Sequence, residues 1–211
     1  MSEAKIFKVG STRVVRVGPQ VANFILDTIK AGHLEASGDE KMKTRTTIDL
    51  IDLKDYNLPI FDESGIPNRI HSPEGYDHEH TRVWSRHIAS YDAFVFLSAQ
   101  RNWGIPAELK NAIDYLFHEW KGKPAMIISY GGHGGTQSAA QIKTVLGAIG
   151  MQVVEKMVNM SFPSPELVGK AFKGEVLGLD AKSDTGPWAE HRSEIAAVFW
   201  NHMVTEMLVE N

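Results

Sequence analysis

The chain has 211 residues, 43% hydrophobic and 23% charged, with a net charge of −4. Such a chain suits one domain with a buried core, or one domain with an appendage, and its mild acidity gives no footprint for nucleic acid. It contains no cysteine, which excludes disulfides, thiolate nucleophiles and Cys-ligated zinc.

The opening residues MSEAKIFKVG lack a signal peptide's apolar core. No apolar run approaches the roughly 20 residues that span a bilayer, so the expected location is the cytoplasm, away from membranes. KIFKV (5–9) predicts a first strand, in which Lys8 is an unusual residue for a central position. From Pro19 to Ala31 apolar residues recur at Val21, Phe24, Ile25 and Ile29, a helical stripe closed by Gly32 as C-cap. ASGDEKMK is a polar loop, and RTTIDLIDL (45–53) reads as a second strand. Residues 54–79, rich in Pro, Gly, Asp and His, predict a long surface loop. Its DHEH run (77–80) lacks a helical His-x-x-x-His pair, so no metal site is expected.

A helix follows over Thr81–Ala89, and AFVFL (93–97) is an apolar run of the kind buried on both faces of a parallel sheet. Ile113, Leu116, Phe117 and Trp120 share one face of a helix starting at Pro106. That face serves either the chain's own core or a partner. PAMIISY (124–130) is another buried strand, residues 136–149 a helix closed by Gly150, and QVVEKMV (152–158) a fifth strand. The tail from Pro163 reads as irregular until a last helix near Pro187, with Ile195, Phe199, Met203 and Met207 along one side. Alternating strands and helices with short connections predict an α/β fold: a doubly wound, five-stranded parallel sheet with helices on both faces, for which 2-1-3-4-5 is one of the common strand orders. Residues 1–162 form the expected domain, and 163–211 an extension whose final helix packs on that domain or on a dimer partner.

Three loops leave strands one, three and four: Gly10–Gly18, Ala99–Pro106 and Gly131–Thr136. In this strand order all three line the crevice where the order reverses. The first, GSTRVVRVG, offers Ser11, Thr12, Arg13 and Arg16 ahead of a helix whose unpaired N–H groups suit a phosphate. It is neither a Walker loop nor a Gly-x-Gly-x-x-Gly turn; the alternative is a capped turn with two solvated arginines. The second supplies Gln100, Asn102, the Trp103 indole and the amides of Trp103 and Gly104. These match a planar heterocycle with polar edges, or else form a turn around a buried Trp103. The third, YGGHGG, sets four glycines around His133. Its backbone needs positive φ or a ligand's close approach, or it is a tight turn and nothing more.

GSTR…R.G..V and NWGIPAELKNAIDYLFHEWKGKPAMIISYGGHGG resemble the NAD(P)H-dependent FMN reductases, in their fungal quinone-reductase-like branch, over about residues 6–160. The resemblance implies a flavodoxin-like fold with FMN in the crevice and NAD(P)H as co-substrate. Ser11, Arg13 and Arg16, with the amides near Val17 and Gly18, would hold the phosphate. Gln100, Arg101, Asn102, Trp103 and Gly104 would follow the isoalloxazine edge, and Tyr130, Gly131, Gly132, His133 and Gly134 would cover its other rim. Hydride would pass from nicotinamide to flavin, then on to a quinone, azo compound or free flavin by ping-pong turnover. No acid or base side chain is required, and His133 is either a donor to flavin or quinone or a solvated loop histidine. Members of the family are commonly dimers, so a homodimer is expected.

The family pattern before the middle motif reads Thr-Pro-(Glu/Gln)-Tyr-Asn, whereas this chain has Ser98-Ala99-Gln100-Arg101-Asn102. Arg101 replaces an apolar plate with a cation, which would raise the flavin's potential or bind an anionic substrate. Two other outcomes stay open: an electron carrier to a protein partner, and a flavin-deficient or repurposed binding protein.

Overall fold

A computed structural model of the chain describes residues 4–9, 12–36 and 46–204. The side chain of Lys8, Gly10, Ser11, most of the polar loop (37–43) and Met207 lie outside the described residues.

Six strands form one parallel sheet. β1 (Ala4–Val9) lies between β2 (Thr46–Ile48) and β3 (Ala93–Ala99), and β4 (Pro124–Gly131) follows β3. The next position holds two short strands, β5 (Gln152–Val153) and β6 (Val158–Ser161), both on β4. The order β2-β1-β3-β4-β5 is the one expected. Seven helices are described: α1 (Gly18–Ala36), α2 (Leu53–Tyr56), α3 (Glu79–Ala89), α4 (Ala107–Asp114), α5 (Thr136–Ala148), α6 (Pro165–Lys173) and α7 (Arg192–Ala197).

Strand alternation sorts the core into two layers. Ala93, Val95, Leu97, Met126, Ile128 and Tyr130 pack with α1 and the C-terminal helices on one face. Phe94, Phe96, Ala125 and Ile127 pack with α3, α4 and α5 on the other. Both faces of β3 and β4 are covered, which is why these strands read as unbroken apolar runs.

The expected fifth strand is broken. Ala125 pairs with Val153 and Ile128 with Val158, so the outer strand carries two more residues than β4 across the same interval. The surplus bulges outward at Glu155 and Lys156, both exposed and paired with Lys143 and Glu194. The helix from Pro106 also ends sooner than its apolar spacing suggests. Two buried indoles claim its last carbonyls: Trp84 Nε1 donates to Ala112 O at 2.9 Å and Trp120 Nε1 to Ile113 O at 3.1 Å. Ile113, Leu116 and Trp120 of that face are buried in the chain's own core, whereas Phe117 is only half-buried.

The 54–79 segment is ordered by side-chain anchors. Asn111 donates to Pro59 O, Tyr115 to Asp62 and Tyr76 to Glu119, with Tyr76 itself buried. Glu63 is buried because it accepts the amides of Asp77 and His78 at the start of α3. Among the described residues, Asp62, Glu63 and His78 bring possible ligand atoms within 4.8 Å of one another, but Glu63 is engaged in that cap.

The tail holds a helix where an irregular chain was expected. Ser164 caps α6 by accepting from Leu167 N at 3.2 Å, Pro165 opens it, and Gly174 ends it at φ 70°. Trp188 is wholly buried against Phe24, Tyr130 and Phe162, with its indole donating to Ser161 O. The final helix begins with a 3-10 turn at Ala189–His191, continues as α7 and closes with a π turn over Val198–Met203. It packs on α1, where Trp200 Nε1 donates to Ile29 O at 3.0 Å. Gly32 lies inside α1 and is not its cap. A Cβ there would strike Ala196 of α7, so the glycine sets how closely the two helices approach. Gly32→Val is expected to cost about 1–3 kcal/mol by overpacking, read as a lower denaturation midpoint at unchanged slope; an unchanged midpoint would contradict this contact.

Candidate active site

Parallel pairing of β1, β3 and β4 places their three following loops at one edge of the sheet. In the first loop the Thr12 amide donates to Glu108 Oε1 at 3.2 Å. Arg13 is exposed, and Val17 and Gly18 are buried where α1 begins. Arg16 grips Asp52 through both guanidinium nitrogens, one of them at 2.6 Å from Oδ1. Asp52 also accepts from Lys54 N at 3.0 Å as the N-cap of α2. Burial pushes the Asp52 carboxyl up, but the bonds from Arg16 and the Lys54 amide outweigh it, and the group titrates below the usual carboxylate range.

The second loop is a two-residue hairpin. Arg101 N donates to Gly104 O at 3.1 Å and Gly104 N to Arg101 O at 2.8 Å. Asn102 and Trp103 take φ of 46° and 63°, the signature of a type I′ turn. A bulky residue in that region is strained by about 1–2 kcal/mol. The turn holds the indole out of the core, 63% exposed, in a parallel stack on His133 with ring centroids 5.7 Å apart. Trp103 is therefore a rim residue and not a buried one. Arg101 forms a forked pair with Glu108, Nη1 to Oε2 at 2.9 Å and Nη2 to Oε1 at 2.8 Å.

Two residues of this loop do other work than expected. Gln100 accepts the amides of Gln137 and Ser138 and so caps α5. A Cβ on Gly104 would sit 3.1 Å from Gln141 Oε1, so its nearest constraint is that side chain, which also holds Ile105 N and Trp103 O.

In the third loop, φ is 158° at Gly131, 70° at Gly134 and 74° at Gly135. A Cβ on Gly135 would come within 2.9 Å of Ser129 Cβ and 3.0 Å of Tyr130 O, whereas one on Gly132 would meet nothing within 4 Å. Gly132 and His133 are exposed. Tyr130 is buried, and burial pushes its phenol up to about 12 while Arg101, Arg16 and Arg13 pull it down. Three guanidinium groups from the first two loops thus act on the carboxyl end of β4. An open cleft of about 820 Å³ is lined by Thr12 and Glu108 together with Leu58, Ile60 and Phe61.

This donor set fits a flavin nucleotide. A loop amide, a helix N-terminus and three guanidinium groups suit a phosphate, and an exposed indole beside an unfilled Gly132 suits a flat ring. Glu108, Asp52, Gln141 and Gly135 were not singled out from sequence. Only Gly135 carried a signal, as the last glycine of the YGGHGG run.

Two outcomes follow. Gly135→Ala is expected to lose about 1–3 kcal/mol of stability and Gly132→Ala less than about 0.5 kcal/mol; equal losses in chemical denaturation would contradict the geometry. The Asp52 carboxyl is depressed in the folded chain, so its contribution is full above about pH 4 and vanishes as the pH falls through the depressed value. Asp52→Asn should therefore be about 1 kcal/mol less stable at neutral pH, with the gap closing as the pH falls below the usual carboxylate range. A pH-independent gap would count against the pair.

Among the described residues no helix is long and apolar enough to cross a membrane. Residues 6–163 match the family model of NADPH-dependent FMN reductases. The chain is 44% identical over 147 residues to the NAD(P)H-dependent FMN reductase LOT6 of Saccharomyces cerevisiae, covering 69% of this chain and 74% of the relative. An NAD(P)H-dependent FMN reductase of Schizosaccharomyces pombe is 40% identical over 159 residues, 75% of this chain and 73% of its own length. In fold, the chain resembles the flavoenzyme NAD(P)H:(acceptor) oxidoreductase FerB from Paracoccus denitrificans, with a TM-score of 0.62, 19% identity and coverage of 97% and 98%. The flavodoxin-like fold is confirmed, and the chain belongs to the NADPH-dependent FMN reductases, an oxidoreductase family with FMN as cofactor and NAD(P)H as electron donor.

Proposed function

We propose that this chain takes electrons from NAD(P)H and delivers them through FMN to a small acceptor, a quinone or a flavin, by ping-pong turnover. The observation that carries the proposal is that parallel β1, β3 and β4 bring the Thr12 amide, the Arg16–Asp52 pair and the Arg101–Glu108 pair to one edge of the sheet, beside the start of α1. Hydride acceptance and electron delivery are the chemistry FMN supplies when bound.

The chain's own residues bind, orient and shield. The Thr12 amide, Arg13, Arg16, Arg101 and the start of α1 at Val17 and Gly18 hold the phosphate. Asp52 fixes the Arg16 guanidinium at one edge and keeps it aimed. The Arg101–Gly104 hairpin forms one wall, and the stacked Trp103 and His133 rings form its rim. The backbone amides of Gly132 and His133 would serve as fixed dipoles that stabilise negative charge developing on the ring without reorganising. His133 is exposed, which lets it donate to an acceptor's oxygen.

Cytoplasmic residence and a homodimer complete this reading. Leu116 and Trp120 are taken up by the core, which leaves Phe117 as the part of that face a second copy can reach. The exposed Ile60 and Phe61, at the lip of the cleft, are further apolar groups placed to serve.

Purified protein loaded with FMN is expected to show oxidised-flavin absorption that NADPH bleaches and a quinone restores, with parallel double-reciprocal plots. Arg16→Ala should weaken FMN about tenfold or more while leaving riboflavin affinity little changed, since a charge-assisted bond to phosphate is lost. Flavin that stays oxidised under NADPH, or equal loss for both flavins, would refute the respective claim.

A further inference from the structure

Glu108 stands in the first turn of α4, yet it is not a solvated surface carboxylate, with its side chain only 16% exposed. One oxygen accepts the Thr12 amide at 3.2 Å and lies 2.8 Å from Arg101 Nη2, and the other accepts from Arg101 Nη1 at 2.9 Å. A forked guanidinium together with an amide from the loop before a helix is the donor set a phosphate takes. Glu108 also lines the cleft that Thr12 borders. Its carboxylate holds two of the donors that the proposed phosphate site needs.

We propose that Glu108 is an internal competitor for the phosphate of FMN, a role that rests on the flavin reading above. To seat a phosphate, the carboxylate must release the Thr12 amide and Arg101, and the phosphate oxygens must take them over. The exchange is anion for anion, so the free energy of the new bonds is offset by the loss of the old ones. An uncharged carbohydrate tail displaces nothing. Glu108 therefore narrows the difference in affinity between FMN and riboflavin and favours release of the phosphorylated flavin. It acts on binding and does not touch the reacting ring atoms. Were Glu108 instead there to aim Arg101 at the phosphate, its removal would weaken FMN, so the sign of the change separates the two roles.

The test titrates FMN and riboflavin separately into the full-length chain, Glu108→Ala and Glu108→Gln, following quenching of flavin fluorescence and checking fold by circular dichroism. Glu108→Ala is expected to bind FMN about tenfold tighter or more, with riboflavin affinity changed by less than about twofold. Glu108→Gln, which keeps the shape and an acceptor oxygen but loses the charge, should fall between, and it decides the matter if the alanine chain does not fold. FMN affinity unchanged or weakened in the variants overturns the proposal, as does an equal gain for riboflavin. If none of the three chains binds FMN, the flavin reading itself falls and this inference with it.

Discussion

Parallel pairing of β1, β3 and β4 is the constraint on which the rest of the molecule depends. Strands that run the same way must deliver their carboxyl ends to the same edge, so three loops distant in sequence meet without any direct instruction to do so. Burial on both faces fixes that arrangement. Phe94, Val95, Phe96 and Leu97 alternate between two apolar layers and leave β3 no freedom to slip by one residue without exposing one layer. Everything chemical hangs on this scaffold: the arginines of the first two loops, the stacked indole and imidazole, and the glycine turn after Tyr130.

The charges at that edge are neither free nor simply positive. Arg16 is held by Asp52 and Arg101 by Glu108, so these two cations each come with their own carboxylate. Such pairing keeps guanidinium groups oriented and limits the cost of crowding them around a buried phenol. It also makes recognition of an anion a replacement reaction. The pair at Asp52 is shared with a helix cap and tied into the fold, whereas the pair at Glu108 opens onto the cleft. The two carboxylates thus differ in what must be broken to displace them.

Much of this was legible in the residues. Continuous apolar runs gave β3 and β4, and the NWGIPAELKNAIDYLFHEW and YGGHGG stretches pointed to the right edge of the sheet. Some of what was missed had been legible too: Ser164, Pro165 and Gly174 are ordinary start and stop signals for α6. Other departures had no local signature. The apolar spacing through Trp120 is that of a helix, and the helix stops because Trp84, nearly thirty residues earlier, takes a carbonyl it needs. Gln100 resembles a ligand-edge residue until the N-terminus of α5 arrives to use it. Gly32 resembles a helix cap until α7 is laid across it.

The sequence by itself determined the parallel sheet, the two-sided core and which three loops leave the ends of strands one, three and four. Periodicity, run length and turn chemistry are local properties, and they act before distant segments meet. The tertiary structure alone decided where β5 breaks, where α4 ends, and which carboxylate sits against which arginine. Those outcomes depend on distances between groups far apart in the chain, and hydrogen-bond donors such as Trp84 Nε1 or the Thr12 amide select their partners only once packing has brought them within reach.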